Sequence, residues 1–414
     1  MSEHAEDIRI EDYDYQLPPE RIAAHPLTQR ASSKLLVYQS GQIRDESFDQ
    51  LARQVPEGSL LVFNNTRVIE ARIFFQKPSG GNIEIFCLEP FEAPIGQALA
   101  QTGSVSWQCL IGGASKWKPG QLLQKQVVAD GQPATLTVAY VSKLEDSFVV
   151  QFDWQPAALP FVSILHAAGD IPLPPYIKRA ATAEDAERYQ TVFATEEGSV
   201  AAPTAALHFT PGVLEELREK KIDTAFVTLH VGAGTFKPVK SETLGGHHMH
   251  GEPFTVTRAA LQDLLNAPRT IAVGTTSLRT LESLHWIGVK LMHGLLHEPW
   301  SLGQWEAYEL EKKFPGTGAR QSLQALIGWL DRHNRVSLSC RTSLLIAPGY
   351  RFRIPAALIT NFHQPQSTLL LLISAFIGPA WKELYAHALA NGYRFLSYGD
   401  SSLLWRPDPA SDMV

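Results

Sequence analysis

Hydrophobic and polar positions follow two different patterns along this chain. From residue 34 to 72, and again after 155, short apolar runs precede stretches of helical periodicity, as at Thr270-Ile-Ala-Val-Gly274. Continuous apolar runs of this length predict buried strands, and their alternation with helices is typical of an α/β domain. Two amphipathic helices are predicted, one that begins with a hydroxyl cap at Thr210 followed by Pro211, and one over Thr257 to Asn266. The sequence therefore predicts a layered α/β main domain that has a mixed sheet with flanking helices.

Between Ile73 and Trp154 the pattern becomes alternating. Helical spacing is missing there, and glycine turns separate the apolar runs, including an Asp130-Gly131 pair that is typical of a hairpin. The predicted strands are Asn82 to Leu88, Val105 to Ile111, Gln121 to Val128, Thr135 to Val141 and Ser147 to Trp154. Because the α/β pattern resumes afterwards, we expect a small antiparallel β-barrel domain, residues 73–154, inserted between main-domain parts 1–72 and 155–414.

The end of the chain carries the longest apolar run, Leu369 to Ile377. This run covers about half of the roughly 20 residues that a membrane-spanning helix needs, so a buried helix is expected and no membrane partner. Tyr393 to Asp400 is predicted as a strand and polar turn. A frayed polar tail is expected after it.

Composition narrows the class of protein. Of 414 residues, 44% are hydrophobic and 19% are charged, which is the balance of a globular protein with a sizeable core. The net charge of −6 argues against adhesion to nucleic acid over the whole surface, although a local basic patch can still bind RNA. Three cysteines, odd in number and far apart, favour a reducing cytosol over a disulfide scaffold. Since the chain begins with acidic and polar residues rather than a secretory signal, a cytoplasmic protein is expected.

One run of small residues predicts the wall of a binding pocket. Gly198 to Thr210 places small residues around Pro203, with Thr204 and His208 as the polar side chains that can contact a ligand. A later β-rich run ends in a second small-residue turn, Gly232-Ala-Gly234-Thr235. We expect the two turns to face one ligand, although a purely structural His208 is an equal alternative.

Three further turns follow predicted strands and carry polar side chains. They are Asn64-Asn65-Thr66-Arg67, Thr275-Thr276-Ser277, and Asn361 with His363. Ligands bind at strand ends in α/β sheets, and a hydroxyl cluster at a helix N-terminus favours an anion or a nucleotide. An Asn-Asn pair is also typical of a plain turn. We expect all three turns to contact the substrate.

The segment His247-His248-Met249-His250-Gly251-Glu252 holds three imidazoles and one carboxylate. Imidazole titrates near neutrality and a carboxylate can orient it, so His250, Glu252 and His247 are the candidate catalytic residues for proton transfer. An exposed polar turn is the alternative. No metal is expected, because nothing in the chemistry requires these histidines to bind one. The familiar hydrolase and metalloprotease motifs are absent from the sequence.

Taken together, these runs resemble the S-adenosylmethionine:tRNA ribosyltransferase-isomerase family of queuosine biosynthesis, from Tyr13 to Asp400. The resemblance implies transfer and isomerisation of the ribosyl part of S-adenosylmethionine onto an aminomethyl group. The acceptor would be 7-aminomethyl-7-deazaguanine at the anticodon wobble position of a tRNA. The products would be epoxyqueuosine, adenine and methionine, with S-adenosylmethionine as co-substrate and no cofactor.

Two features depart from the family pattern. Residues 285 to 340 stand where the family usually has a far shorter connection, and Ala206 stands where it usually has glycine. We expect the insertion to alter RNA docking and the methyl group of Ala206 to narrow the pocket. A divergent relative with another acceptor is therefore one alternative. A non-catalytic module that grips RNA with the barrel is another.

An enzyme of this kind also needs cations that contact RNA phosphates. The candidates are Lys178, Arg179, Arg188, Lys237 and Arg279. A solvated surface role is the alternative for each of them. A monomer is expected.

Overall fold

The computed structural model describes residues 5–77, 80–118, 120–232, 239 and 241–407. Its strands are, in chain order, β1 (Lys34–Gln39), β2 (Gln42–Ser47), β3 (Ser59–Asn64), β4 (Thr66–Val68), β5 (Arg72–Gln76), β6 (Asn82–Pro90), β7 (Ser104–Gly112), β8 (Leu122–Ala129), β9 (Gln132–Lys143), β10 (Phe148–Gln155), β11 (Gly169–Asp170), β12 (Glu196–Ser199), β13 (Asp223–Leu229), β14 (Glu252–Thr257), β15 (Arg269–Val273), β16 (Ser301–Leu302), β17 (Ser337–Thr342), β18 (Pro355–Asn361) and β19 (Ser401–Trp405). Its α-helices are α1 (Leu51–Gln54), α2 (Ile95–Ala100), α3 (Phe161–Ala168), α4 (Ala183–Arg188), α5 (Pro211–Glu219), α6 (Arg258–Asn266), α7 (Thr275–Met292), α8 (Glu306–Lys313), α9 (Ala319–Arg332), α10 (Thr368–Ile377) and α11 (Trp381–Ala390).

A large mixed sheet forms the centre of the fold, in the strand order β16-β17-β14-β13-β3-β15-β18-β19-β1-β2. Its middle strands β13, β3, β15 and β18 run parallel, and β14 lies antiparallel beside β13. Every residue of β3 and β18 is buried, as expected for strands that are covered on both faces. The carboxyl ends of the four parallel strands therefore meet at one edge of the sheet.

Helices cover both faces of the large sheet. Alternate residues of β3 point to opposite faces, because side chains along a strand have a period of two. Leu60 and Val62 join a core that includes α7, α9 and α10, whereas Leu61 and Phe63 join a core that includes α1 and α5. The predicted α/β layering is confirmed.

A second, antiparallel sheet has the strand order β11-β5-β6-β7-β10-β9-β8. It contains the five strands predicted between residues 82 and 154. Asp130 and Gly131 take positive φ angles of 48° and 76° between β8 and β9, as the predicted hairpin requires. Strand β5, which lies beside the end strand β11, contacts β8 at the other end, so the sheet curls around a core that includes Trp107 and Trp154. Since β11 and α3 follow residue 154, the sheet uses more of the chain than 73–154.

Residues 285–340 form regular structure. They supply the second half of α7, helices α8 and α9, strand β16 and most of β17. Strand β17 pairs with β14 and so extends the large sheet at one edge. A shorter connection at this place in relatives stays a prediction.

The expectations for the end of the chain have different outcomes. Helix α10 is buried in the core as predicted. The stretch Thr368–Ala390 is apolar and long enough to cross a bilayer, with a mean hydropathy of 1.3 over an 18-residue window, but 56% of that window is buried inside the fold. The strand predicted within Tyr393 to Asp400 is wrong, because positive φ angles at Gly392 and Leu396 (71° and 69°) interrupt the extended backbone. The strand comes directly afterwards as β19, where a frayed tail was expected.

Candidate functional site

A cavity of about 690 Å³ lies where the second sheet meets the carboxyl edge of the large sheet. The large sheet contributes residues of β14 and β17 and those just after β13, and the helices beside it contribute Arg279 of α7 and the start of α10. The second sheet contributes β6, β7 and the residues from 88 to 95. Cavities of about 300–1,000 Å³ are typical of small-molecule sites. We call this space the main cavity.

Glu252 and Arg279 form a buried ion pair in the wall of the main cavity. Arg279 Nη1 donates to Glu252 Oε2 at 2.6 Å, and Gly232 N–H donates to Glu252 Oε1 at 3.3 Å. The two residues of the pair are 7% and 6% exposed. Arg279 Nε also donates to the Leu344 carbonyl, while Nη2 has no hydrogen-bond partner within the described residues. Because protonation would break a buried ion pair, Glu252 is better placed to orient Arg279 than to accept a proton.

His230 is a residue of the main cavity that the sequence pattern did not single out. It directly follows β13, and burial lowers the pKa of its imidazole to about 4. Its Nδ1 has no hydrogen-bond partner in the described part of the chain. A methyl group at Gly198 would overlap Ile95 and lie 3.2 Å from this Nδ1, so only glycine fits there. The available signal was a histidine between an apolar strand and a small-residue turn.

The predicted histidine segment forms the outer lip of the main cavity. His247 is half-buried, whereas His248 and His250 are exposed, and all three line the cavity. Burial lowers the pKa of His247, and the neighbouring His248 and His250 add to the effect. No group of three or more histidine, cysteine or acidic side chains among the described residues is arranged to hold a metal ion. The lip therefore presents imidazoles at the solvent side of the cavity.

A second cavity of about 80 Å³ adjoins the main cavity, and the two share Val231 and Leu369. We call it the small cavity. Its walls come from the run of small residues after β12, the first turn of α7 and the turn after β18. The predicted substrate-binding residues that line it are Pro203, Thr204, Thr275, Thr276, Asn361 and His363. The structure thus brings three of the predicted turns together around one space.

Behind the small cavity, Asn361 connects two of its walls through hydrogen bonds. Its Oδ1 accepts from Thr204 Oγ1 at 2.9 Å, and its Nδ2 donates to the Asp400 carbonyl at 3.4 Å and to His208 Nε2 at 3.3 Å. On the other side of the ring, His208 Nδ1 lies 2.9 Å from Ser33 Oγ. Burial lowers the pKa of His208 to about 4. His208 lines neither the main nor the small cavity and holds their walls together from behind.

The turn after β3 lies outside both cavities. Asn64 is fully buried, and its Nδ2 donates to the Leu229 carbonyl at 2.9 Å. Its Oδ1 accepts from the N–H groups of Leu229 and Thr66, at 3.0 and 3.3 Å. Asn65 bonds two threonine hydroxyls, and Arg67 lies 3.6 Å from a glutamate. The predicted contact of these four residues with substrate therefore has no support in the geometry, because Asn64, Asn65 and Arg67 interact with protein groups instead and Thr66 is buried.

Other predicted positions are also placed by the structure. Gly232 lines the main cavity, and Ser277 is fully buried in the first turn of α7. Ala206 is buried in the core beside α5 and lines neither cavity, so the expectation that it narrows the pocket is wrong. The predicted residues outside the described part of the chain are Gly234, Thr235 and Lys237.

The predicted RNA-binding cations have different surroundings. Lys178 is exposed. Arg179 forms a two-pronged ion pair with Asp185, at 2.6 and 2.8 Å, and Arg188 donates to two main-chain carbonyls. Arg279 is buried in the wall of the main cavity. Its predicted contact with an RNA phosphate stays a prediction, and such a contact would have to lie inside the main cavity.

Comparisons with known proteins agree with the resemblance seen in the sequence. The family model described as queuosine biosynthesis protein matches residues 10–404. A relative from Azoarcus sp. (strain BH72), named S-adenosylmethionine:tRNA ribosyltransferase-isomerase, is 39% identical over 97% of this chain and 99% of its own length. A relative of the same name from Geobacter metallireducens is 39% identical over 95% of this chain and 99% of its own length.

One solved structure is also similar. The crystal structure of S-adenosylmethionine tRNA ribosyltransferase from Thermotoga maritima is 26% identical, with a TM-score of 0.45, and covers 95% of this chain and 99% of its own. The family match spans both sheets and both cavities of the present chain. This chain therefore belongs to the queuosine biosynthesis protein family, together with the relatives named S-adenosylmethionine:tRNA ribosyltransferase-isomerase.

Proposed function

We propose that this chain transfers and isomerises the ribosyl moiety of S-adenosylmethionine onto the aminomethyl group of 7-aminomethyl-7-deazaguanine in tRNA. The products are epoxyqueuosine in the tRNA, adenine and methionine. The observation that carries the proposal is the 39% identity to relatives of that name over nearly the whole chain. The size of the main cavity, about 690 Å³, supports it, because a nucleoside with its amino-acid arm requires a space of that order.

The proposed reaction needs a group that accepts a proton from substrate. We assign this role to His230, whose ring is neutral at pH 7 because burial lowers its pKa to about 4, and whose Nδ1 is unpaired among the described residues. Arg279 Nη2 is positioned to donate to an acceptor atom of the ligand, and Glu252 holds the guanidinium in that direction. The lip histidines His247 and His250 remain the alternative proton acceptors.

The proposal extends to partners and organisation. The tRNA carries the deazaguanine at the wobble position, and the enzyme acts as a cytoplasmic monomer with S-adenosylmethionine as co-substrate and no further cofactor. The second sheet acts as an inserted barrel-like domain that completes the main cavity. A contact between the sheets supports this arrangement, since Arg341 of β17 lies 3.2 Å from Glu89 of β6. Lys178 is exposed and suited to a phosphate contact.

Mass spectrometry of digested tRNA tests the proposed activity. The purified protein is incubated with S-adenosylmethionine and a tRNA that carries 7-aminomethyl-7-deazaguanine, and we expect the epoxyqueuosine nucleoside and an equal amount of adenine. The same tRNA with guanine at that position is the matched control and should give neither product. An unchanged nucleoside without adenine release would reject the proposal. Adenine release without a modified tRNA would favour a divergent relative with another acceptor.

A further inference from the structure

The first turn of α7 holds polar groups that the protein leaves unused. Thr276 and Ser277 are only 9% and 0% exposed, and neither hydroxyl has a hydrogen-bond partner among the described residues. Buried polar groups in native proteins are nearly always hydrogen-bonded. Of these two hydroxyls, that of Thr276 belongs to a residue that lines the small cavity, so it indicates a partner from outside the protein.

The same turn is the N-terminus of an 18-residue helix. The first amides of a helix have no acceptor within the helix, and Gly274 at the N-cap position has no side chain that could bond to them. The aligned peptide dipoles of the helix add positive potential at this end. Amides, hydroxyls and dipole together favour a bound anion.

The small cavity lies directly against this turn, since Gly274, Thr275 and Thr276 line it. Among the described residues, no lysine, arginine, aspartate or glutamate lines this cavity. Without a cationic side chain, the partial positive charge of one helix end matches a singly charged carboxylate better than a doubly charged phosphate. At about 80 Å³ the cavity has room for a carboxylate but not for a nucleotide.

We propose that the start of α7 binds the carboxylate of the methionine part of S-adenosylmethionine in the small cavity. This assignment rests on the proposed function, because it requires that co-substrate. The two cavities share Val231 and Leu369, so a ligand anchored in the small cavity extends its sulfur and nucleoside into the main cavity. His230, which lies next to the shared Val231, is then close to the reacting end of the co-substrate.

Calorimetric titration with S-adenosylmethionine and with its decarboxylated analogue tests the assignment. We expect the wild-type protein to bind S-adenosylmethionine about tenfold more tightly than the analogue, because hydrogen bonds to the charged group are lost with the carboxylate. Thr276→Val removes the hydroxyl and keeps the shape of the side chain. This variant should bind S-adenosylmethionine about tenfold more weakly than the wild-type protein and bind the analogue with unchanged affinity. Thr275 also lines the small cavity, so Thr275→Val is expected to act in the same direction and replaces Thr276→Val if that variant does not fold.

Thr280→Val is the matched control. Thr280 lies one turn further along α7, is fully buried, and donates its hydroxyl to the Thr276 carbonyl at 2.9 Å. Loss of the Thr280 hydroxyl should therefore change neither the affinity for S-adenosylmethionine nor the affinity for its decarboxylated analogue.

Two results would overturn the assignment. One is equal affinity of the wild-type protein for S-adenosylmethionine and its decarboxylated analogue. The other is competition by inorganic phosphate at millimolar concentration with no preference for the carboxylate, which would assign the turn to an RNA phosphate. In either case the tRNA assay reports the proposed function separately, so failure of this site is distinguishable from failure of the activity.

Discussion

Two neighbouring strands of the large sheet, β3 and β15, both end in polar turns, but the side chains of the two turns have different surroundings. The strands are parallel and directly paired, and the side chains of both turns can form hydrogen bonds. In the turn after β3, the amide of Asn64 is bonded to Leu229 of β13 and to its own turn. The hydroxyls of Thr66 in this turn and of Thr276 in the turn after β15 both lack a partner among the described residues, but of the two only Thr276 lines one of the two cavities. Composition shows where polar groups lie, whereas their partners and their access to a cavity decide whether a ligand can bind them.

Asn64→Ala is expected to have the largest effect on stability. It leaves the buried N–H and carbonyl of Leu229 without partners, at about 1–3 kcal/mol for each group, so the free energy of unfolding should fall by about 3 kcal/mol. Urea titration measures this change. Calorimetric affinity of the folded variant for S-adenosylmethionine should stay unchanged.

Asn65→Ala is the milder comparison, because Asn65 bonds only hydroxyl groups with its side chain. We expect a loss of about 1 kcal/mol or less. If Asn64→Ala kept its stability and lost its affinity instead, the contrast between the two turns would be wrong.

Two histidines of the main cavity also differ in their surroundings. His230 has an unpaired imidazole in the buried wall, whereas His250 lies on the exposed lip. Because a positioned base contributes about 10²- to 10⁴-fold to a rate, we expect His230→Gln to lower kcat about 100-fold, with little change in KM for S-adenosylmethionine. Steady-state release of adenine measures both parameters.

His250→Gln is the matched variant and should reduce kcat by less than about threefold, since its loss leaves the proposed base in place. Equal losses of kcat in the two variants would contradict the assignment to His230 and would support His250 as a proton acceptor, as the sequence predicts.

Much of the fold could be predicted because its signals are local. The hydroxyl of Thr210 caps α5 as predicted, since it accepts from the N–H of Val213, and Asp130-Gly131 forms the predicted hairpin. Strand β19 could not be predicted in the same way. Its partners are β18 and β1, with Leu35 aligned beside Ser401, and no residue nearby in the sequence indicates them.

The site was predictable only in part. Turns that follow parallel strands meet at one edge of a sheet, and this rule indicated the small cavity. Which polar groups remain available depends on distant partners: Asn64 bonds Leu229, 165 residues later. The ion pair of Arg279 with Glu252, 27 residues earlier, could not be predicted for the same reason, since β14 first has to lie beside β13. His230 was missed because a single histidine beside an apolar strand is typical of a core.

Acid should weaken the fold through His208, whose two ring nitrogens are both used. Burial lowers its pKa to about 4 in the folded protein, from the ordinary value of 6.5. The unfolded chain therefore takes up a proton between pH 6.5 and 4 that the folded chain does not, so stability falls as the pH drops through this window. We expect His208 to account for on the order of 2 kcal/mol of that loss.

Urea titrations across this pH window should therefore show a shallower pH dependence in His208→Gln than in the wild-type protein. If stability depended on pH in the same way in both proteins, the surroundings of His208 would not be holding its imidazole neutral.

The smallest effect is expected for Thr276→Val in the ligand-free protein, and it has the opposite sign to that of Asn64→Ala. Removal of an unpaired buried hydroxyl relieves its desolvation cost, so the free energy of unfolding should rise by up to about 1 kcal/mol in a urea titration. Thr280→Val, which removes a bonded hydroxyl, should give no such gain. A fixed excess of S-adenosylmethionine should then stabilise the wild-type protein more than Thr276→Val, because ligand stabilisation follows affinity. If Thr276→Val were instead destabilised without ligand, its hydroxyl would already have a partner, and the two turns would not differ in the way that makes one of them a binding site.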